Sequence, residues 1–319
     1  MKSLTKLKKI KGDASFREFY RDQKNNSILV LSRKEKFKNL VIYDAINKIL
    51  IKNNILAPKL FSESYLNGYM EIQDFGDETL FKILKKKKSD HYKTFSKIVK
   101  ILNKIQLIKD KKIKNFKNKL YKVQEYKIKI LFDESKLFCD WYVPNVLPKI
   151  KRNKFNKKFK LEIKNLISKL NYKNDTFVHR DFHVSNLMYH NKKIALIDSQ
   201  DALIGNRAYD LASLIDDVRL KTSKELKEDI FKMFVMSNKS INPKKLKNDF
   251  EILSVLRNLK VIGIFSRLAI RDGKKRYMKM IPYAWKMIEQ RMSKNLVFKD
   301  LELILNNLVS KKIRSKKWK

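Results

Sequence analysis

The chain of 319 residues holds a single cysteine, Cys139, so no intrachain disulfide can form and a small disulfide-stapled secreted fold is excluded. A reducing cytoplasm is the expected compartment. Six glycines and five prolines rule out collagen-like and Pro/Gly-rich low-complexity chains. No run approaches the roughly 18 uninterrupted apolar residues of a membrane span. The basic start MKSLTKLKKIKG leads into polar residues, without the apolar core of a targeting signal. Acidic residues are scarce as well: 33 Asp and Glu face 75 Lys and Arg, a formal charge of +42.

A charge of that size attracts anionic partners. Lysine is nevertheless spread over nearly every segment together with Asn and Ile, as when AAA, AAT and ATT codons fill exposed positions, so it reads first as a solvated surface. Basic runs at residues 85–88, 157–160 and 311–319, near Phe155, Phe159 and Trp318, leave RNA or anionic-membrane contact as a secondary expectation, not as the function. At 43% hydrophobic residues the chain folds, and its length favours two packed lobes over one core.

Short apolar runs at 16–20 and 28–31, separated by polar residues 23–26, predict a β-hairpin. Phe37, Val41, Ala45, Ile46, Ile49 and Leu50 share one face of a helix over 37–51, closed by Asn53 and Asn54. Extended pieces follow at 58–61 and 69–72, and the lobe boundary is placed in the polar segment around Gly76. Ser89 or Asp90 can cap a helix that buries Tyr92, Phe95, Val99, Leu102 and Ile105, and residues 109–175 read as helices joined by basic loops. Thr222 with Glu225 suggests a capping box, and Pro243 opens a long helical stretch reaching Arg271.

One segment breaks the helical rhythm. Three of the four histidines fall in HRDFHVSNLMYHNKKIALIDSQDALIGNRAYDLASL, where residues 187–189, a polar turn and 194–197 predict a second hairpin. Asp181 precedes it, Asn186 follows five positions later, and Asp198 ends the second strand twelve positions beyond that. Phosphoryl transfer needs a carboxylate to orient and deprotonate the acceptor hydroxyl, and hard oxygens to hold Mg²⁺ on the phosphates. Asp181 is the expected catalytic base, with Asn186 and Asp198 as metal ligands. His179 reads as a brace for the loop, His183 as a second brace or, less favoured, a substrate contact, and Asp210 as structural support at the start of a helix. Asp201 is either a turn residue or an added carboxylate.

These blocks resemble the aminoglycoside phosphotransferase-like kinases, a protein-kinase-like family, and within it the bacterial anomeric kinases of N-acetylmuramate and N-acetylglucosamine. GDASFREFYR at 12–21, GYMEIQDFGDETL at 68–80, FCDWY at 138–142 and LKVIGIFSRLAIRDGKKRY at 259–277 carry the resemblance beside the HRD block. It implies an α+β, bilobal protein-kinase-like fold, with a small β-rich nucleotide-binding lobe over 1–76 and a larger, mainly helical catalytic and substrate-binding lobe over 77–319. It also implies ATP and Mg²⁺ as cofactors and a small-molecule sugar as substrate, phosphorylated at the anomeric hydroxyl in cell-wall recycling. Gly12, Ala14, Ser15 and Phe16 would cover the phosphates, Gln73 and Phe75 would meet the adenine, and Asp140, Trp141, Arg271 and Asp272 are candidate acceptor contacts.

A choline-like alcohol, an aminoglycoside, or a basic non-catalytic binder of RNA or membrane surfaces are the alternatives, and a monomer is expected. Two departures from the family stand out. The strand expected to carry the phosphate-pairing lysine reads SILVLSRK, where either Arg33 or Lys34 substitutes or the contact is absent, as the resemblance to the subgroup implies, and Ser199 replaces the usual aromatic after the metal aspartate.

Overall fold

Alternating side chains over 18–31 build the first sheet, and the computed structural model describes it together with residues 7–10, 17–86, 90–293 and 295–315 of the chain. Gly12, Ala14, Ser15 and Phe16 lie outside the described residues, as does Ser89. The chain divides into two compact units, residues 1–124 with 176–204, and residues 125–175 with 205–319.

In the first unit, β1 (Lys8–Ile10), β2 (Glu18–Asp22), β3 (Ser27–Leu31), β4 (Leu60–Ser64) and β5 (Tyr69–Gln73) form an antiparallel sheet in the order β1-β2-β3-β5-β4. Helix α1 (Lys38–Lys52) sits where the apolar spacing placed it, with Ala45, Ile46, Ile49 and Leu50 fully buried. Leu40 and Tyr43 of α1 pack with Val30, Met70 and Ile72, which closes one face of the sheet. Asn53 terminates the helix by donating its side-chain amide to the Ile49 carbonyl at 2.9 Å.

After α2 (Leu80–Leu84), α3 (His91–Gln106) is capped by Asp90, whose carboxylate accepts from Lys93 N at 2.9 Å. It buries Phe95, Val99, Leu102 and Ile105, but Tyr92 is exposed and Ile98 takes the inner place, because a 3.6-residue turn carries position 92 off the stripe. A hairpin, β6 (Lys112–Lys114) with β7 (Leu120–Lys122), corrects the expectation of helices alone over 109–175. Its three-residue strands place lysines at both ends of KIK, which masks any apolar alternation. Strand β8 (Thr176–Val178) then leads to the second expected hairpin, β9 (Leu187–His190) with β10 (Lys193–Leu196). Asn191 and Lys192 make its turn at φ of 47° and 61°, the left-handed pair that a two-residue hairpin loop demands.

The second unit is helical: α4 (Ile128–Leu137), a π-helical turn at Phe138–Tyr142, α5 (Val143–Val146), α6 (Lys149–Ser168), α7 (Ala208–Ile215), α8 (Lys224–Met236), α9 (Pro243–Ile270), α10 (Ile281–Met292), α11 (Lys299–Leu308) and α12 (Lys311–Arg314). Pro243 opens α9 next to the Asn242 cap, as the sequence implied. The α8 cap is Ser223 and not Thr222; the Ser223 hydroxyl accepts from Leu226 N at 3.1 Å. A cap must stand three residues before its donor, and the serine one place later meets that spacing.

Gly263 on α9 runs against the backbone of Leu137 and Phe138, where an added Cβ would overlap the Leu137 carbonyl group and the Phe138 amide. Backbone cannot step aside as a side-chain tip can. Gly263→Ala is therefore expected to lower unfolding free energy by about 3 kcal/mol, at the upper end of overpacking costs, read from the shift in urea midpoint. An unchanged midpoint would show that α9 and the π turn separate freely.

Candidate active site

The loop between β8 and β9 is fastened from below by apolar side chains and from within by its own backbone. Phe182 and Val184 are buried, and His179, 1% exposed, meets the Phe182 ring edge-on at 6.3 Å between centroids. His183 N donates to the Asp181 carbonyl at 3.0 Å, and Asn186 N donates to the His183 carbonyl at 2.8 Å. The Asn186 side-chain amide donates to the Asp181 carbonyl at 3.1 Å, so the same residue that faces the site also sets the loop. His179 and His183 are both buried. The Asp181 side chain remains half-buried at the crest of the loop.

The hairpin then brings the other two residues together. Leu187 pairs with Leu196, and beyond that pair Ile197 N donates to the Asn186 carbonyl at 3.1 Å, which sets Asn186 beside the strand end that delivers Asp198. Asp198 adopts a left-handed backbone, φ 64° and ψ 41°, and Arg180 lies at φ 72°. Such conformations persist only where surrounding contacts fix them, and they concentrate at functional sites. Gln200 supplies one such contact, donating to Asp198 Oδ1 at 3.2 Å and to Asp201 Oδ2 at 3.1 Å. Asp201 is exposed and serves as a partner of Arg180, whose guanidinium reaches its carbonyl at 3.2 Å and its carboxylate at 3.8 Å.

Ser199 is fully buried, and its hydroxyl donates to Asn47 Oδ1 on α1 at 2.6 Å, while Asn47 donates onward to the Pro58 carbonyl at 3.2 Å. A polar tie to α1 thus stands where an aromatic side chain was expected. Among the described residues, no hydrogen bond engages Asn186 Oδ1 or Asp198 Oδ2. One amide oxygen and one carboxylate oxygen suit a hard cation such as Mg²⁺, which takes one or two protein ligands and fills its shell with water and phosphate oxygens.

Phe75 is buried against Met188 and Ala195, with its ring 5.1 Å from that of His190, so the segment after β5 lies over the β9–β10 hairpin. Gln73 N donates to the Lys59 carbonyl at 2.9 Å and Asp74 N to the Asn26 carbonyl at 3.2 Å. The Phe75 N–H and carbonyl engage no hydrogen bond among the described residues, which leaves one donor and one acceptor edge of the kind a purine requires. Arg21 on β2 fixes this segment: Nε lies 2.5 Å from Asp74, Nη1 2.7 Å from Asp77, and Nη2 donates to the Gly76 carbonyl at 2.9 Å.

Arg17 was not singled out from the sequence. Its side chain, 3% exposed, places Nη2 at 2.5 Å from Asp198 Oδ1. The signal available was an arginine in the GDASFREFYR segment, one residue ahead of the start of β2. Arg33 and Lys34 are exposed beyond β3.

The remaining sequence-derived residues belong to the second unit. Asp140 pairs with Lys136 at 3.5 Å on the π turn beside half-buried Trp141. Arg271 and Asp272, past the end of α9, bond each other at 2.7 and 3.0 Å. No hydrogen bond or ion pair among the described residues joins the one pair to the other. Asp210 is fully buried on α7. Cys139 is buried too, and burial pushes its thiol up to about 12, so it stays a neutral packing group.

The family described as "Phosphotransferase enzyme family" matches residues 6–235. An N-acetylmuramate/N-acetylglucosamine kinase of Neisseria meningitidis is 26% identical over 280 residues, covering 85% of this chain and 80% of that protein. One of the same name from Pseudomonas aeruginosa is 25% identical over 305 residues, covering 93% and 86%. Among solved structures, the gentamicin–APH(2″)-IIa complex superposes with a TM-score of 0.64 at 14% identity, over 89% of this chain and 94% of that one. That likeness establishes the α+β, protein-kinase-like fold.

Proposed function

The chain belongs to the phosphotransferase enzyme family, and from that membership we propose that it is an ATP- and Mg²⁺-dependent kinase that phosphorylates the anomeric hydroxyl of N-acetylmuramate or N-acetylglucosamine. The observation that supports this reading is the β9–β10 hairpin, which sets Asn186 beside the strand end leading to Asp198, with Asp181 on the loop five residues ahead of Asn186. The sugar is supported by the names of the relatives from Neisseria and Pseudomonas, which are similar over most of the chain. Residues 1–76 act as the nucleotide lobe and residues 77–319 as the catalytic and acceptor lobe of a cytoplasmic monomer.

Asp181 accepts a hydrogen bond from the acceptor hydroxyl and takes its proton as the oxygen bonds to the γ-phosphorus. The bond from the γ-phosphorus to its bridging oxygen breaks, and ADP leaves with that electron pair. Asn186 and Asp198 hold Mg²⁺, which when bound neutralises charge on the phosphate oxygens. Phe75 presents its backbone edges to the adenine while Gln73 anchors the segment, and Gly12, Ala14, Ser15 and Phe16 cover the phosphates. Asp140, Trp141, Arg271 and Asp272 are the acceptor contacts proposed.

Coupled ADP release with Mg-ATP across a panel of amino sugars, neutral hexoses, choline and aminoglycosides tests the assignment. Turnover is expected with N-acetylmuramate or N-acetylglucosamine at least about 100-fold above choline or gentamicin, the scale by which an enzyme that hydrogen-bonds its substrate rejects analogues lacking those groups. Turnover with choline alone would reassign the acceptor.

A further inference from the structure

We propose that Arg17 is the cation that grips the phosphates of the nucleotide, and that in the nucleotide-free protein it is held in readiness by Asp198. The inference rests on the kinase reading above and extends it to a residue that reading does not use. A triphosphate needs a fixed cation besides its metal, and in protein kinases a lysine on the third strand supplies it, paired with an acid on the following helix. Neither part is available here. β3 reads SILVL with no cation, Arg33 and Lys34 beyond it are exposed, and Asp44, an acid of α1, is engaged by Lys48 at 3.0 Å and by Phe116 N at 2.7 Å.

Arg17 fills the place by a different route. Its guanidinium carbon lies 5.5 Å from the Phe19 ring centroid and 5.3 Å from that of Tyr43, so two aromatic residues position the group where kinases use an acid. The side chain is buried just ahead of β2 and touches Asp198, whose carboxylate is 40% exposed and is the proposed metal ligand. A buried guanidinium requires an anion, and arginine keeps its charge at any ordinary pH. Asp198 supplies that anion and is in turn kept in its left-handed backbone by Arg17 and Gln200. A cation bonded to the metal-holding carboxylate stands beside the phosphates that the metal neutralises. When Mg-nucleotide binds, Asp198 turns to the metal and Arg17 exchanges the carboxylate for phosphate oxygens, to which its planar fork can donate two bonds. Nucleotide entry thus replaces one ion pair by two contacts without leaving either charge bare.

Calorimetric titration of ATP in Mg²⁺ and in EDTA, on the full chain and on Arg17→Gln, Arg17→Lys and Asp198→Asn, tests the exchange. In EDTA, Arg17→Gln is expected to weaken ATP binding by about 10- to 100-fold, the scale of a charge-assisted pair of bonds. Arg17→Lys, which keeps the charge and loses the fork, is expected to recover part of that loss. Asp198→Asn should remove the Mg²⁺-dependent gain and leave metal-free binding equal or tighter, since Arg17 is then released. Thermal melts accompany each variant; if Arg17→Gln melts early, the Arg17→Lys comparison decides, with a loss of about 3- to 10-fold expected. Arg17→Gln and Arg17→Lys binding metal-free ATP as tightly as the parent would overturn the proposal while the kinase reading stands. Arg17→Gln losing only the Mg²⁺-dependent gain would also overturn it and make Arg17 a brace for Asp198. If the parent chain binds no ATP at all, the kinase reading fails first.

Discussion

Asp181→Asn is expected to cut kcat for sugar phosphorylation by about 10²- to 10⁴-fold, the range of a positioned general base, while ATP affinity and the melting curve change little. The side chain of Asp181 is half-buried, and the loop is held by the Asp181 carbonyl, which accepts from His183 N and from the Asn186 amide. Those bonds involve the main chain of residue 181 and survive the substitution. Asn keeps the size of the group and removes its capacity to take a proton, so a selective loss of kcat isolates chemistry from architecture. The result also separates catalysis from the alternative of a basic RNA- or membrane-binding protein: salt-sensitive binding to anionic surfaces depends on the lysines and would persist in Asp181→Asn. A variant that turns over at the parent rate would remove Asp181 from the mechanism.

Asp216→Ala is expected to destabilise the second unit by about 3–5 kcal/mol, the cost of stripping the anion from buried cations. Asp216 is fully buried at the end of α7. It accepts from Lys227 Nζ at 2.9 Å, from Ser254 Oγ at 2.5 Å, and from Arg291 Nε and Nη2 at 2.8 and 2.9 Å. Lys227, 2% exposed at its side chain, also donates to the Ile215 carbonyl. Burial by itself would raise the Asp216 carboxyl, but Lys227 and then Arg291 outweigh it and hold the group well below the usual carboxylate range.

The sign of the pH dependence follows. A depressed folded-state value means the stabilisation is complete above the unfolded carboxylate value of about 3.9 and is lost as pH falls from there toward the lower folded value. Urea unfolding at pH 7 should show the full deficit of Asp216→Ala, and the gap to the parent should narrow below about pH 4. Equal midpoints at pH 7 would mean that the two cations find other partners.

Local patterns carried much of this molecule. The hairpin that presents Asn186 and Asp198 was legible because β9 and β10 are apolar runs around a polar two-residue turn, and α1 and α9 were legible from period and cap. The spacing of Asp181, Asn186 and Asp198 is the sequence feature on which their proposed roles rest. What escaped is what chain distance hides. The ion pair of Arg17 with Asp198 joins residues 181 positions apart, and Ser199 reaches Asn47 across 152. Residues 176–204 return to the first unit through bonds such as Leu196 N to the Leu56 carbonyl and Tyr189 N to the Glu78 carbonyl, which leave no local periodicity. Short lysine-bearing strands, as in β6 and β7, fail for the opposite reason: three residues are too few to show alternation.

The most direct measurement is a ³¹P NMR spectrum of the chain incubated with Mg-ATP and N-acetylmuramate, or with N-acetylglucosamine, coupled to proton detection of the sugar. Transfer to the anomeric hydroxyl requires a new phosphate monoester resonance coupled to the proton on C1, growing with ADP at equal rate and absent with Asp181→Asn. ADP accompanied only by inorganic phosphate, or an ester on any other carbon, would contradict the account.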